Sequence, residues 1–453
     1  MLTELSVSNF KSWKRIDRMR LAPITGLFGA NSSGKTSILQ LLLMLKQTAE
    51  SPDRAQPLAF GDEKSPANLG TFRDVVHGHE DAPKLKWGIA WRPRSRFRVP
   101  DPADENKELF SADQLGFEGE LGEGKTGRVI VDAFAYEVGN HRFVMRRRGI
   151  SEAKYEIQST KGSFRFIRSR GRPTGLPAPV KCYGFPDQVK ARFQNAGFLA
   201  DLQLAFEELF AGTYYLGPLR EYPRRQYTWA GAEPGDMGLR GERAIDALLA
   251  ARERSLVVSP GPHRKKVPLE HYIAQWLESL GLIHTFDVEP IATGSNLYRV
   301  RVQKSPGSAS VLITDVGFGV SQILPILVLC FYVPEGSTIL LEQPEIHLHP
   351  SVQAGLADVF IDAVEKRNVQ IVFESHSEHL LRRLQRRIAE EKIRKESAAL
   401  YFCEMVDGRS ELRGLNLDMY GNVTNWPKGF FGDEFGEMAA MTKAAMERKA
   451  KGQ

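Results

Sequence analysis

The chain has 453 residues, with 61 Lys and Arg against 55 Asp and Glu and a formal net charge of +6, a length that predicts two to four structural units. Its 42% hydrophobic and 26% charged content is ordinary for a globular protein and excludes a disordered, collagen-like or membrane-embedded chain. The longest apolar runs, 323–333 and 38–45, are shorter than the ~18 residues of a spanning helix, no secretory-signal layout opens the chain, and Cys182, Cys330 and Cys403 match neither a disulfide framework nor a zinc site, so a cytoplasmic protein with reduced thiols and no membrane partner is expected.

In chain order, LTELSVSNF and PITGLFG read as strands, the second ending in a glycine-rich turn, and SILQLLLMLKQTA reads as a helix with leucines at helical spacing. Residues 50–80 are turn-rich. The stretch 84–170 is a run of short strand-like segments, expected as mainly antiparallel sheet. Residues 186–290 hold helical patterns such as FLADLQLAFEELF and LEHYIAQWLESLG around a glycine-rich passage. From 310 onward, SQILPILVLCFYV, STILLEQ, SVQAGLADVFIDAVEKR, VQIVFES and EHLLRRLQRRIAEEKIRK alternate helix and apolar strand, the pattern of a parallel α/β sheet. The N-terminal strands are expected to share that sheet with the C-terminal third. This divides the chain into 1–83 and 301–453 as two halves of one head, 84–185 as a β-rich segment and 186–300 as a helical lobe.

The strongest motif is Gly29-Ala30-Asn31-Ser32-Ser33-Gly34-Lys35-Thr36, a full GxxxxGK[ST] loop between a predicted strand and a predicted helix. Glycines let the backbone wrap a polyphosphate so that its N–H groups and the helix N-terminus point at the anion. ATP is the implied ligand: Gly29 to Ser37 form the cradle, Lys35 bridges the β- and γ-phosphates, and Thr36 ligates Mg²⁺. Glu342, closing the apolar strand STILLEQ, stands where a Walker B carboxylate would hold the same Mg²⁺. DVGFGVSQ (315–322) opens a helix with Ser321 and Gln322, and IVFESHSEH brings His376 to the next strand end. A second GKT, in GEGKTG at 122–127, lacks the upstream spacing and reads as a hairpin turn.

Together, NFKSW (9–13), GANSSGKTS (29–37), LGTFRDVVHGH (69–79), YLGPLRE (215–221), GFGVSQILPIL (317–327), LLEQPEIHLHP (340–350), FESHSEHLL (373–381) and YGNVTNWPKGFF (420–431) resemble the ABC-type ATPase heads of the SMC, RecF and OLD group. The resemblance is particularly to the stand-alone AAA/ABC-like ATPases of bacterial anti-phage defence operons. It covers both ends of the chain well and the middle poorly. It implies an α/β P-loop head with a split, mixed sheet and an inserted β-rich and helical lobe. It also implies self-association through subunits that sandwich ATP, in which Gly319, Ser321 and Gln322 act as the signature and Ser321 contacts the γ-phosphate held by another subunit. By the same resemblance, His376 belongs to the switch region, EIHLHP crosses the subunit interface, and the ATPase controls a separately encoded effector such as a nuclease.

Two departures matter. Where that group places a catalytic glutamate directly after the Walker B acid, this chain has Gln343, with Glu345 two positions on. A glutamine orients water but accepts no proton, so slow turnover is expected unless Glu345 or a substrate phosphate takes the proton. No TOPRIM-like nuclease segment follows His376: Asp418, Asp433, Glu434 and Glu437 form no DxD pair on a strand. His347 and His349 form an HxH beside Glu345, for which structural or interface roles are expected over metal binding. Phe10, Lys11 and Trp13 either flank the nucleotide base or pack a strand end. Arg220, Arg224 and Arg225 sense phosphate, bind nucleic acid or lie on a solvated loop. Arginine clusters at 91–100, 146–148, 163–172 and 380–395, interleaved with Phe97, Phe143, Phe164 and Phe166, leave open the alternative of a RecF-like clamp that grips nucleic acid.

Overall fold

The computed structural model describes residues 1–79, 84–101, 104–124, 127–149, 154–170, 175–261, 264–427 and 434–450. Lys125 and Thr126 of the second GKT, and Asp433, lie outside them.

Apolar–polar alternation gives β1 (Leu2–Phe10) one buried face, and the chain folds back as β2 (Trp13–Arg20). By contrast β3 (Ile24–Gly29) is buried at every position, as a strand covered on both faces must be. The leucine-rich α1 (Lys35–Glu50) follows its glycine loop, then the single turn α2 (Phe72–Val75). Next come β4 (Lys84–Trp91), β5 (Phe97–Asp101), β6 (Asp104–Ala112), β7 (Leu115–Glu123), β8 (Val129–Val138), β9 (His141–Arg148) and β10 (Lys154–Lys161). The middle of the chain supplies α3 (Gln188–Arg192), α4 (Leu199–Ala211), β11 (Thr213–Leu216), β12 (Tyr227–Thr228), α5 (Ala244–Glu253), β13 (Val257–Val258), β14 (Val267–Pro268), α6 (Leu269–Ser279), β15 (Thr285–Pro290), β16 (Leu297–Gln303) and β17 (Ser310–Leu312). The rest is α7 (Gly319–Tyr332), β18 (Thr338–Glu342), α8 (Pro350–Arg367), β19 (Gln370–Ser375), α9 (Glu378–Ala389), β20 (Ala398–Val406), β21 (Arg409–Gly414) and α10 (Glu434–Ala450).

Two large sheets result. Six strands in the order β11-β18-β19-β3-β20-β21 form a sheet that is parallel except for its last pair, so N-terminal β3 lies between two C-terminal strands. Seven antiparallel strands, β10-β9-β8-β7-β4-β1-β2, form the other. The expectation that the N-terminal strands together enter the parallel sheet therefore holds for β3 alone. β1 and β2 extend the antiparallel sheet beyond the expected 84–170, because a strand with one apolar face suits a sheet covered on one side. β11, within the stretch read as a helical lobe, is the edge strand of the parallel sheet. β7 and β8 pair antiparallel around the second GKT.

Alternation along the parallel strands divides the interior in two. Leu27, Leu340, Val372 and Cys403 face one core with α1, α4 and the antiparallel sheet. Ile24, Phe28, Ile339, Leu341, Ile371 and Phe373 face the other with α5 to α9. No helix among the described residues is long and apolar enough to cross a membrane.

The arginine cluster on α9 is spoken for. On α9, Arg382 pairs with Glu378, Arg383 and Arg387 with Asp358, and Arg386 with Glu390. Phe143 is fully buried, and the half-buried Phe164 and Phe166 pack against it and each other, with Phe143 and Phe164 also meeting Phe198 and Phe166 meeting Phe193.

Gln370 joins the two sheets. Its side chain is 1% exposed, its Oε1 accepts from Leu2 N–H (2.9 Å) and Thr338 Oγ1 (3.1 Å), and its Nε2 donates to the carbonyls of Leu2 (2.7 Å) and Ala22 (3.1 Å). Gln370→Leu leaves the Leu2 amide buried with neither partner, and each orphaned group costs about 1–3 kcal/mol. The expected loss of stability is about 2–4 kcal/mol, read as a lowered denaturant midpoint; a loss near that of a surface substitution, under about 0.5 kcal/mol, would refute this role.

Candidate functional site

Every candidate on the nucleotide side lies where ligands bind in open α/β sheets, at the C-terminal edge of the parallel strands. β3 ends at Gly29, whose φ of 140° suits glycine, and a Cβ there would collide with the Cys403 carbonyl of neighbouring β20. Gly34, at φ 91°, caps α1 in the left-handed region, packed against Ser12 and Ser410. Its carbonyl accepts from the Trp13 indole N–H at 2.9 Å. Phe10 and Trp13 are fully buried, which places both as packing beneath the loop. Lys11 reaches over it, with Nζ donating to Gln40 Oε1.

Lys35 is 4% exposed, and its ammonium is folded onto the carbonyls of Gly29 (3.0 Å) and Ala30 (2.7 Å). Ser33 likewise ties its hydroxyl to Ala30 O. The loop thus closes on its own cation. Burial lowers the Lys35 pKa, opposed by the nearby Glu374.

Thr36 donates its hydroxyl to Glu374 Oε2 at 2.7 Å. Glu374 is the chief site residue missed in the sequence. It is the register partner of Glu342 on the adjacent strand, and both lie on the same face as Leu340 and Val372, toward α1. Tyr215, at the end of β11, donates to Glu342 Oε1 at 2.9 Å. Burial first, then the like charge of Glu374, pushes Glu342 up to about 7. Burial also raises Glu374, against the Thr36 hydrogen bond and Lys35. A divalent cation between such carboxylates reverses that trend by favouring their ionised forms.

Beyond Glu342 the backbone turns sharply. Gln343 sits at φ 42° with its N–H donating to Glu374 O at 3.1 Å. Glu345 is 7% exposed. Its Oε1 accepts the His376 backbone N–H at 2.6 Å, while Oε2 has no partner among the described residues. Burial raises the Glu345 pKa; burial, then Lys35, lowers that of His376. His347 is exposed at φ 60°, and exposed His349 caps α8 through Ser351.

Gly319, Ser321 and Gln322 lie in the first turn of α7. Ser321 and Gln322 are buried, and the Ser321 hydroxyl donates to Phe318 O. Phe318 is exposed and meets the rings of Tyr222 and His347. No hydrogen bond or ion pair among the described residues joins this segment to the loop at 29–37 in one chain. The arginines after β11 separate: Arg224 and Arg225 are exposed and pair with Glu221 and Asp315, whereas Arg220 is buried.

Superposition on solved structures gives a TM-score of 0.42 at 11% identity with the SMC head domain from Thermotoga maritima, over 92% of this chain and 99% of that one. It gives 0.46 at 10% with an SmcHead bound to the C-winged helix domain of ScpA, over 92% and 98%. For the Smc head domain with an extended coiled coil bound to the C-terminal domain of ScpA, derived from Pyrococcus furiosus, the score is 0.43 at 11%, over 92% and 96%. No curated protein matches the chain. Residues 393–441 match the family described as "Protein of unknown function (DUF3696)". Residues 206–382, which contain Arg220, Glu342, Glu374 and His376, match the family "AAA domain, putative AbiEii toxin, Type IV TA system".

Proposed function

We propose that this protein binds Mg-ATP, hydrolyses it slowly, and uses the ATP-bound state to assemble with further copies of itself and to hold a separately encoded effector in anti-phage defence. The observation that carries the ATPase reading is the junction of Thr36, in a complete GxxxxGK[ST] loop, with Glu374 and its register partner Glu342 at one sheet edge.

The residues fit a magnesium-bound nucleotide: two buried carboxylates and a hydroxyl suit a hard cation that otherwise takes phosphate oxygens and water. Thr36 and Glu342 would hold the ion, with Glu374 alongside. When bound, it supplies charge neutralisation at the phosphate oxygens. Lys35, exchanging the Gly29 and Ala30 carbonyls for phosphate, balances the remaining charge. Glu345 offers its unpartnered Oε2 as the proton acceptor for water, while its other oxygen is held by His376 N–H. Gln343 orients that water without taking a proton. One base already engaged by a backbone amide, beside a neighbour that cannot act as a base, makes for slow turnover.

Gly319, Ser321 and Gln322, which no hydrogen bond or ion pair among the described residues joins to the phosphate loop of their own chain, serve the loop of another copy. The effector reading draws its support from the matched family, whose description places it among toxin–antitoxin components. The ion pairing of the α9 arginines weighs against a nucleic-acid clamp, which would need such cations free for phosphate.

Lys35→Ala is expected to weaken ATP binding by at least about 100-fold, a buried phosphate cation being worth ~3 kcal/mol or more; retained binding in calorimetry would exclude the phosphate-loop assignment. In steady-state turnover, Gln343→Glu should accelerate hydrolysis about tenfold or more and Glu345→Gln should slow it by about 10²-fold. An unchanged rate in the first variant removes Gln343 as the brake. For assembly, light scattering should show a mass increase on Mg-ATP addition that Ser321→Arg abolishes while ATP still binds. Salt-sensitive duplex binding that appears only with ATP, in place of that increase, would favour the clamp.

A further inference from the structure

Arg220 is 6% exposed, and neither its Nε nor either terminal nitrogen has a hydrogen-bond partner among the described residues. The half-buried Arg367 is different: it leaves only its Nε unpaired, while its terminal nitrogens bind Glu335 and the Val333 carbonyl. An unpaired buried guanidinium is among the costliest arrangements a fold can hold. The chain nevertheless fixes it in place. Gly217 N–H donates to Leu239 O at 2.9 Å and Glu221 N–H to Arg240 O at 3.0 Å, pinning the segment at both ends. Its neighbours Leu219 and Tyr222 are 55% and 69% exposed, so the loop has turned its arginine inward and its apolar side chains outward.

The direction of that turn is informative. The charged and polar groups facing Arg220 are Tyr215, Glu342 and Glu345. These belong to the end of β11, the end of β18 and the turn after it, the same sheet edge that carries Glu374 and its Thr36 partner. Burial lowers the Arg220 pKa to about 10, which leaves the side chain charged at neutral pH. None of its five N–H donors is used, although a carboxylate oxygen of Glu345 is also without a partner. A planar fork of donors held dry beside a metal-type carboxylate and a base carboxylate matches a tetrahedral oxyanion with several free oxygens.

We infer that Arg220 binds the terminal phosphate of the nucleotide, supplied by the same chain that carries the phosphate loop, and so makes the site select triphosphate over diphosphate. This rests on the ATPase reading above. Lys35 would account for charge on the loop side of the phosphates, and Arg220 for charge on the terminal phosphate from the β11 side. Such a contact exists only when the third phosphate is present.

The test is calorimetry on the full chain with a non-hydrolysable Mg-ATP analogue and with Mg-ADP, on the wild type, Arg220→Met, Arg220→Lys and Lys35→Ala. Arg220→Met is expected to weaken the analogue at least about tenfold and ADP less than about twofold, with kcat falling about 100-fold, as for loss of one preorganised charged donor. Without nucleotide, its melting temperature should be equal to or higher than wild type, because an unpaired buried charge has been removed. Arg220→Lys keeps the charge without the fork and should lie between. Equal losses for both nucleotides, or a lowered melting temperature without nucleotide in both variants, would overturn the inference and make Arg220 a structural cation of the acidic cluster. A wild type that binds neither nucleotide overturns the ATPase reading itself; a wild type that binds both, with Lys35→Ala binding neither, leaves that reading standing whatever Arg220 does.

Discussion

Three buried carboxylates, Glu342, Glu345 and Glu374, gather at the end of one parallel sheet with Lys35 and Arg220 as their nearest buried cations. The cluster is not neutralised pairwise. Lys35 spends its hydrogen bonds on loop carbonyls, Arg220 makes none, and Glu345 keeps one oxygen free. In a low-dielectric setting such an arrangement is a standing cost, and much of the architecture exists to enforce it. Parallel strands bring Glu342 and Glu374 side by side, α1 ends its loop against them, and the segment after β11 closes the remaining side. A ligand bearing both negative phosphates and a divalent cation satisfies all of these groups together, which a free phosphate or a metal ion alone does not.

What the sequence disclosed and what it concealed divide along the range of the interaction. The loop at 29–36, the helix after it and the apolar strands ending at Glu342 and Ser375 are local patterns, and each lies where its own residues indicate. The partner sheet of β1 and β2 depends on β4, about 80 residues away, and the alternation of LTELSVSNF is equally compatible with either sheet. Glu374 was hidden for another reason: one acid at the end of an apolar strand is common, and only its register with Glu342 gives it meaning. Arg220, Arg224 and Arg225 are alike as letters, and burial, a tertiary property, separates them. The α9 arginines looked available for phosphate because Asp358, which binds two of them, lies on a different helix.

The turn after Glu342 illustrates how backbone and chemistry are joined. Gln343 and His347 both adopt positive φ, a conformation uncommon for residues with a Cβ. Gln343 N–H to Glu374 O and Glu345 Oε1 from His376 N–H tie this turn to β19 at two points. Strain of this kind persists only where surrounding contacts over-determine the geometry. Here they hold the backbone of the turn that carries Gln343 and Glu345 against the end of β19.

The position of β3 carries a consequence for how the molecule comes into being. Ile24 pairs with Ile371 on one side and Ala398 on the other, so the phosphate loop has no sheet to stand on until almost the whole chain is made. At synthesis rates of roughly 5–20 residues per second, that is a wait on the order of 20–70 seconds during which an apolar strand and a leucine-rich helix emerge without their final neighbours. The antiparallel strands, whose pairings are mostly between chain neighbours, close much sooner. The sheet edge that carries the phosphate-loop motif is thus assembled only once β19 and β20 have been made.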